Sequence, residues 1–219
     1  MSQSQIRQAR ELGPPTASRV LAPLPGRAST TVRLIFGVIL GIDAYLKWLP
    51  AFRNTYISQL KSVADGQPSW LHGWFDFWIS LQSAAPTVFA TLTGIAETGL
   101  ALSLLLGAAR RLGYTFGAGY MLLLWAVGEG FGGPYAAGST DVGAGIVYAL
   151  LFTALLALAP PACHEPCSLD RVLTPRWRWW HAIAEPHGRG HILPGHRQRE
   201  LAALPPAPVP EHWPGGRTR

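Results

Sequence analysis

The chain has 219 residues, of which 48% are hydrophobic and 14% charged, with a formal net charge of +6 and two cysteines. That composition excludes a wholly disordered chain and a disulfide-stapled one, and the length allows one or two domains. The basic excess does not point to nucleic acid, because the lysines and arginines are grouped by the connections between apolar segments.

Residues 1–30 are polar and rich in Pro, Ser and Arg, with no apolar run of the secretory-signal kind. They read as a disordered cytoplasmic tail. Four apolar segments follow, at 32–50, 85–106, 114–131 and 142–159, each 18 to 22 residues long. A helix rising 1.5 Å per residue needs about 20 residues to cross a bilayer core of ~30 Å. Stretches such as "LALSLLLGAA" and "YALLFTALLAL" lack the polar stripe of a soluble surface helix.

The first segment carries two faces. Gly37, Gly41 and Ala44 form a small-residue stripe suited to close helix approach, and Asp43 and Lys47 lie one turn apart on another face. Gly113 and Gly117 make a second small-residue pair. Between the first two segments, "SWLHGWFDFWISLQS" groups Trp70, Leu71, Trp74, Trp78 and Leu81, as an interfacial helix would, to anchor or to cap the outer mouth of a bundle.

Basic residues are dense before Leu34, at Arg110–Arg111 and after Ala159, and sparse or absent in the intervening connections. This is the positive-inside pattern for four spans with both termini in the cytoplasm. The sequence therefore predicts an all-α, polytopic plasma-membrane protein: an antiparallel four-transmembrane-helix bundle with an outer interfacial amphipathic helix. Its parts are the tail 1–30, a membrane domain 31–159, and a Pro/Arg/His-rich, loosely attached cytoplasmic tail 160–219, whose "RWRWW" would rest on the inner membrane surface.

Gly128-Glu-Gly-Phe-Gly-Gly133 matches the dinucleotide fingerprint letter for letter. It follows a membrane segment rather than a strand, so it reads as a reversal between spans, with Ser139, Thr140 and Asp141 as N-cap candidates for the fourth helix. No nucleotide is expected there.

Five ionisable residues fall within or at the rim of the spans: Asp43, Lys47, Glu97, Glu129 and Asp141. Each charge near the bilayer centre costs ~2.5–3.5 kcal/mol on insertion scales, so such groups face the bundle interior and find partners. The topology gathers four of them in the outer half. Glu97 is the hardest to explain as structure, because its own span offers no cation; buried there, it would either be protonated near neutral pH or pair with Lys47 across the bundle. No histidine lies inside a span, which excludes a haem held between transmembrane histidines. Cys163 and Cys167 in "CHEPC" have no second pair and read as reduced thiols rather than metal ligands.

In "RLIFGVILGIDAYLKW", in "GIAETGLALSLLLGAARRLG" with Glu97, and in the hairpin from "WAVGEGFGGPY" to "GSTDVGAGIVYALLF", the chain resembles the DoxX/DoxD family of small four-span membrane proteins over residues 31–159. DoxD is a subunit of thiosulfate:quinone oxidoreductase. The resemblance implies a membrane subunit of a quinone-linked oxidoreductase, with quinone as substrate, a second protein subunit as partner, and a sulfur compound as possible donor. Glu97, Glu129 and Asp43 would then handle protons, Trp125 and Tyr148 would contact the quinone ring, and Lys47 and Arg53 would receive a thiosulfate-like dianion. The alternative is a non-catalytic scaffold or anchor for a redox or metal-handling partner. A small-solute transporter is disfavoured, because four short spans offer little room and no broken helices recur at matching positions.

Overall fold

The computed structural model describes residues 24–133, 142–177 and 179–185. These belong to one compact unit. The elements are α1 (Gly26–Lys47), α2 (Pro50–Ala64), α3 (His72–Ser83), α4 (Pro86–Leu106), α5 (Arg110–Gly128), α6 (Ala144–Leu158), α7 (Leu169–Leu173) and α8 (Trp180–Ala184), with single 3₁₀ turns at Ser69–Leu71, Gly130–Gly132 and Ala162–His164. No strand occurs among the described residues. Helix starts and stops follow local chemistry. Pro50 and Pro86 open α2 and α4, where a missing N–H costs nothing, and Gly107 ends α4 in the left-handed conformation at φ 60°.

α1 packs along α4, and α5 along α6, each pair antiparallel. The predicted small-residue stripe is where α1 meets α4: a Cβ on Gly37 would lie 3.0 Å from Leu105, and one on Gly41 would reach Ala101 at 4.0 Å. The two pairs share one core, to which Phe36 and Leu40 of α1, Leu104 of α4, Tyr114 of α5, and Phe152 and Leu155 of α6 contribute. Gly117 gives the α5–α6 contact its closeness, since a Cβ there would sit 2.7 Å from the Phe152 ring, whereas Gly119 has open space. Gly117→Ala is therefore expected to destabilise the fold by about 1–3 kcal/mol through overpacking. Gly119→Ala should be neutral or stabilise it by up to about 1 kcal/mol through helix propensity. Thermal unfolding of the two variants side by side checks this.

Two helices, α1 and α4, are long and apolar enough to cross a membrane, and only 39% and 33% of their apolar windows are buried inside the protein. The expectation of four spans is met in length and apolarity by these two. α6 is apolar but only 15 residues long, a rise of about 22 Å. α5 starts at Arg110, inside the predicted basic turn, and ends at Gly128 rather than at residue 131. In the connection 51–83 the helix expected in "SWLHGWFDFWISLQS" is α3, and a second helix, α2, precedes it and packs on it. The residues grouped on one side of α3 are mostly exposed, and its inward contacts come mainly from others. Phe75 and Gln82 are buried and Trp78 is half-buried, whereas Trp70 and Leu81 are exposed.

The segment after α6 departs furthest from expectation. Residues 160–185 are not a loose tail: Glu165 and Asp170 are fully buried, together with Arg33 and Arg110. The physical reason is charge. Two buried guanidiniums, Arg33 two turns into α1 and Arg110 at the start of α5, need acceptors, and this segment brings the carboxylates. Residues 1–23 and 186–219, and with them most of both predicted tails, lie outside the described residues, as does Arg178 within "RWRWW".

Candidate functional site

Helix α1 places Asp43 and Lys47 one turn apart near its C-terminal end. The Lys47 ammonium donates to Asp43 Oδ1 at 3.0 Å and lies 3.7 Å from Glu97 Oε2 on α4. It also sits over the Phe52 ring, 5.3 Å from the centroid. Of the two states expected of Glu97, the geometry shows the approach to Lys47, at ion-pair distance but beyond hydrogen-bond reach. Glu97 is fully buried, yet neither of its carboxylate oxygens has a hydrogen-bond partner.

These groups line a cavity of about 960 Å³ together with Glu129 and Tyr148, within the ~300–1,000 Å³ of ordinary ligand sites. The α2–α3 hairpin contributes Phe52, Tyr56, Trp78 and Gln82 to its wall, so this segment covers the cavity as well as exposing aromatic surface. Tyr56 Oη donates to Gln82 Oε1, and burial pushes the phenol's pKa up, which keeps it a donor. Trp78 Nε1 is buried without an acceptor, and the buried Tyr120 Oη makes no hydrogen bond of normal geometry. Part of the lining is exposed apolar side chain, including Ile42 on α1, Ile95 on α4 and Phe116 on α5. The cavity therefore opens on the apolar flank of the helices.

Glu129 has a specific structural task. Its carboxylate accepts the backbone N–H of Gly145 at 3.1 and 2.9 Å, satisfying an orphan donor in the first turn of α6. Ser139, Thr140 and Asp141, the expected N-cap candidates for this helix, lie outside the described residues. The glycine-rich stretch is a reversal, as read from sequence. Gly130, Phe131 and Gly132 all take positive φ, and a Cβ on Gly132 would meet the Val142 carbonyl oxygen at 2.2 Å.

Two predicted site residues do not reach the cavity. Trp125 Nε1 donates to Val142 O at 2.7 Å and its ring stands edge-on to Phe131, so it braces the reversal. Arg53 is exposed and lies over the Trp48 ring, 5.7 Å from its centroid. Neither contributes to the cavity wall as described.

Sequence reasoning missed a second polar cluster, at the opposite end of the bundle. Arg110 Nη1 donates to Glu165 Oε2, and its Nε donates to Asp170 Oδ2 at 3.2 Å. Arg33 Nε lies 3.6 Å from Glu165 Oε1, and its Nη2 donates to the Cys167 carbonyl at 2.9 Å. Asp170 also accepts the backbone N–H groups of Ala109 and Arg110 at 2.8 and 3.1 Å, which caps α5, and the Trp180 indole N–H at 2.8 Å. Two cations face two anions, with most of their polar atoms engaged. The cluster is a clamp rather than a reactive centre. Cys163 and Cys167 are both free and exposed, and the described residues contain no group of three or more His, Cys, Asp or Glu that could hold a metal.

Fold and site together define an all-helical protein with two helices long and apolar enough to cross a membrane, and a partly acidic cavity opening on their flank. Comparison with protein-family models, with curated proteins and with solved structures gives no match.

Proposed function

We propose that the chain is a multi-pass membrane protein in which α1, α4, α5 and α6 form a lipid-embedded bundle, and that it serves as the membrane subunit of a quinone-linked oxidoreductase. The membrane reading is supported by apolar side chains left without protein cover on all four helices, such as Ile42, Ile95, Leu112 and Leu150. The arginines at the Arg33 end favour placing that end, and both termini, in the cytoplasm.

The observation that carries the quinone reading is the flank-opening cavity with buried polar atoms lacking partners. A quinone is an apolar ring bearing two carbonyl acceptors, and it reaches a bundle through the bilayer. The Trp78 N–H, the Tyr120 hydroxyl and the Lys47 ammonium are donors on the cavity wall, and Tyr148 is an aromatic neighbour. Reduction takes two electrons and two protons; the Lys47 ammonium is placed to hand one proton to a carbonyl oxygen, and Glu97 would deliver the other after its carboxylate has taken up a proton from water, while a partner subunit supplies the electrons.

The sulfur-donor part of the expectation gains no support from this geometry. Lys47 is already shared between two carboxylates, and Arg53 lies off the cavity. A dianionic donor is better assigned to the partner subunit. The competing reading is a non-catalytic scaffold, favoured by the structural occupation of Glu129 and Trp125.

Titrating a short-chain benzoquinone into the purified full chain, with Trp fluorescence as readout, separates the two. Saturable quenching that weakens about tenfold in Trp78→Phe/Tyr120→Phe, the loss of one to two hydrogen bonds, is expected. Absence of saturable binding leaves the scaffold.

A further inference from the structure

The cavity wall carries three carboxylates, Asp43, Glu97 and Glu129, against one ammonium, Lys47. Glu129 is held by α6 and Asp43 by Lys47. Glu97 is the exception: it is fully buried, only Oε2 comes near a cation, and Oε1 has no polar partner. A buried acceptor in that condition is costly until a ligand or water supplies a donor. The surplus of negative charge in an apolar surround selects among ligands by sign, because charge–charge interaction grows as the local dielectric falls.

The protein already shows how this wall treats a cation. The Lys47 ammonium rests between Asp43 and Glu97 and over the face of Phe52, the combination of carboxylate and ring face that binds organic cations. Beyond it, Phe89, Phe116, Tyr120 and Tyr148 supply further aromatic lining, and the opening faces the apolar flank.

We infer that this cavity is a binding site for lipophilic organic cations, with Glu97 as the anionic anchor and aromatic rings as the cage, and that it excludes anions of the same shape. It uses the cavity of the quinone reading and the same membrane-facing opening, but a different chemistry. A neutral ring would be held by donors, whereas a cation is held by the Glu97 carboxylate.

The test uses an isosteric pair. Tetraphenylphosphonium and tetraphenylborate have nearly the same shape and opposite charge. Each is titrated separately by calorimetry into detergent-solubilised full chain, with micelle-matched blanks, and the short-chain benzoquinone is titrated in a third series. Saturable phosphonium binding is expected, at least about tenfold tighter than borate, the scale of one screened charge contact. Glu97→Gln should weaken phosphonium binding by about tenfold, and Lys47→Met, which removes the internal cation, should strengthen it by a similar factor. A merely structural Glu97 would not move affinity in opposite directions in the two variants. Asp43→Asn, expected to weaken binding less than Glu97→Gln, serves where the Glu97 variant elutes as an aggregate.

Borate binding as tight as phosphonium, absence of saturable phosphonium binding, or affinity unchanged in both Glu97→Gln and Asp43→Asn overturns the inference. Quinone binding without phosphonium binding overturns it and leaves the quinone reading standing. Phosphonium binding without quinone binding supports it and removes the quinone reading.

Discussion

Glu165→Ala is expected to destabilise the protein by about 3–5 kcal/mol, the range for breaking a buried ion pair from one side. Glu165 has no exposed surface and engages Arg110, Arg33 and the Ser29 hydroxyl, the last at 2.9 Å. Removing its carboxylate leaves two buried guanidiniums. Arg110 then keeps Asp170 and the Pro160 carbonyl, while Arg33 is left with backbone carbonyls alone. A domain of this size has roughly 5–15 kcal/mol in total, so the loss is a large share.

Glu185→Ala is the matched control. It also lies in the segment after α6, but its carboxylate accepts a single backbone N–H, from Ala162 at 3.2 Å, and about 1 kcal/mol is expected. Truncation after Ala159 removes both Glu165 and Asp170 and should be more severe than either substitution. Thermal unfolding in detergent ranks them. Glu165→Ala unfolding at the temperature of Glu185→Ala would mean that the clamp holds nothing together.

The clamp was the least legible part of the molecule, and the reason is specific. Arg33 and Arg110 stand where the positive-inside rule already accounts for basic residues, so nothing in the sequence asked for their partners. Glu165 and Asp170 lie in a Pro- and Arg-rich stretch with no helical period, which looks like solvated tail. The available signal was two acids five residues apart just past the last apolar segment. The Lys47 end was more legible, because burial of charge in an apolar segment demands an explanation. Asp43, Lys47, Glu97 and Glu129 converge as the helix directions require.

Trp125 and Arg53 lie off the cavity wall for a different reason. Their positions along the chain were right for the cavity, but which way a side chain turns near a helix end depends on the reversal at Gly130–Gly132 and on the start of α2. Neither has a periodic signature. Likewise, the sequence marks the aromatic side of α3, whereas the inward contacts of Phe75 and Gln82 depend on the α2 partner and have no apolar period to announce them.

Lys47→Met should destabilise the protein by about 3 kcal/mol, the lower end of the buried-pair range because the Lys47 side chain is 21% exposed. Its loss leaves Asp43 and Glu97 without their shared cation. Glu97→Gln alone should cost within about 1 kcal/mol, because the carboxylate oxygens have no hydrogen bond to lose. In the double variant the neutral amide no longer needs a counterion, so much of the Lys47→Met penalty should be recovered. A double-mutant cycle on unfolding free energy measures that coupling directly, and about 1–2 kcal/mol is expected for groups in contact. If Lys47→Met loses the same stability whether residue 97 is Glu or Gln, the ammonium acts through Asp43 and packing alone. Glu97 would then owe its burial to something other than Lys47, and a cavity in which these two charges act on one ligand would lose its physical basis.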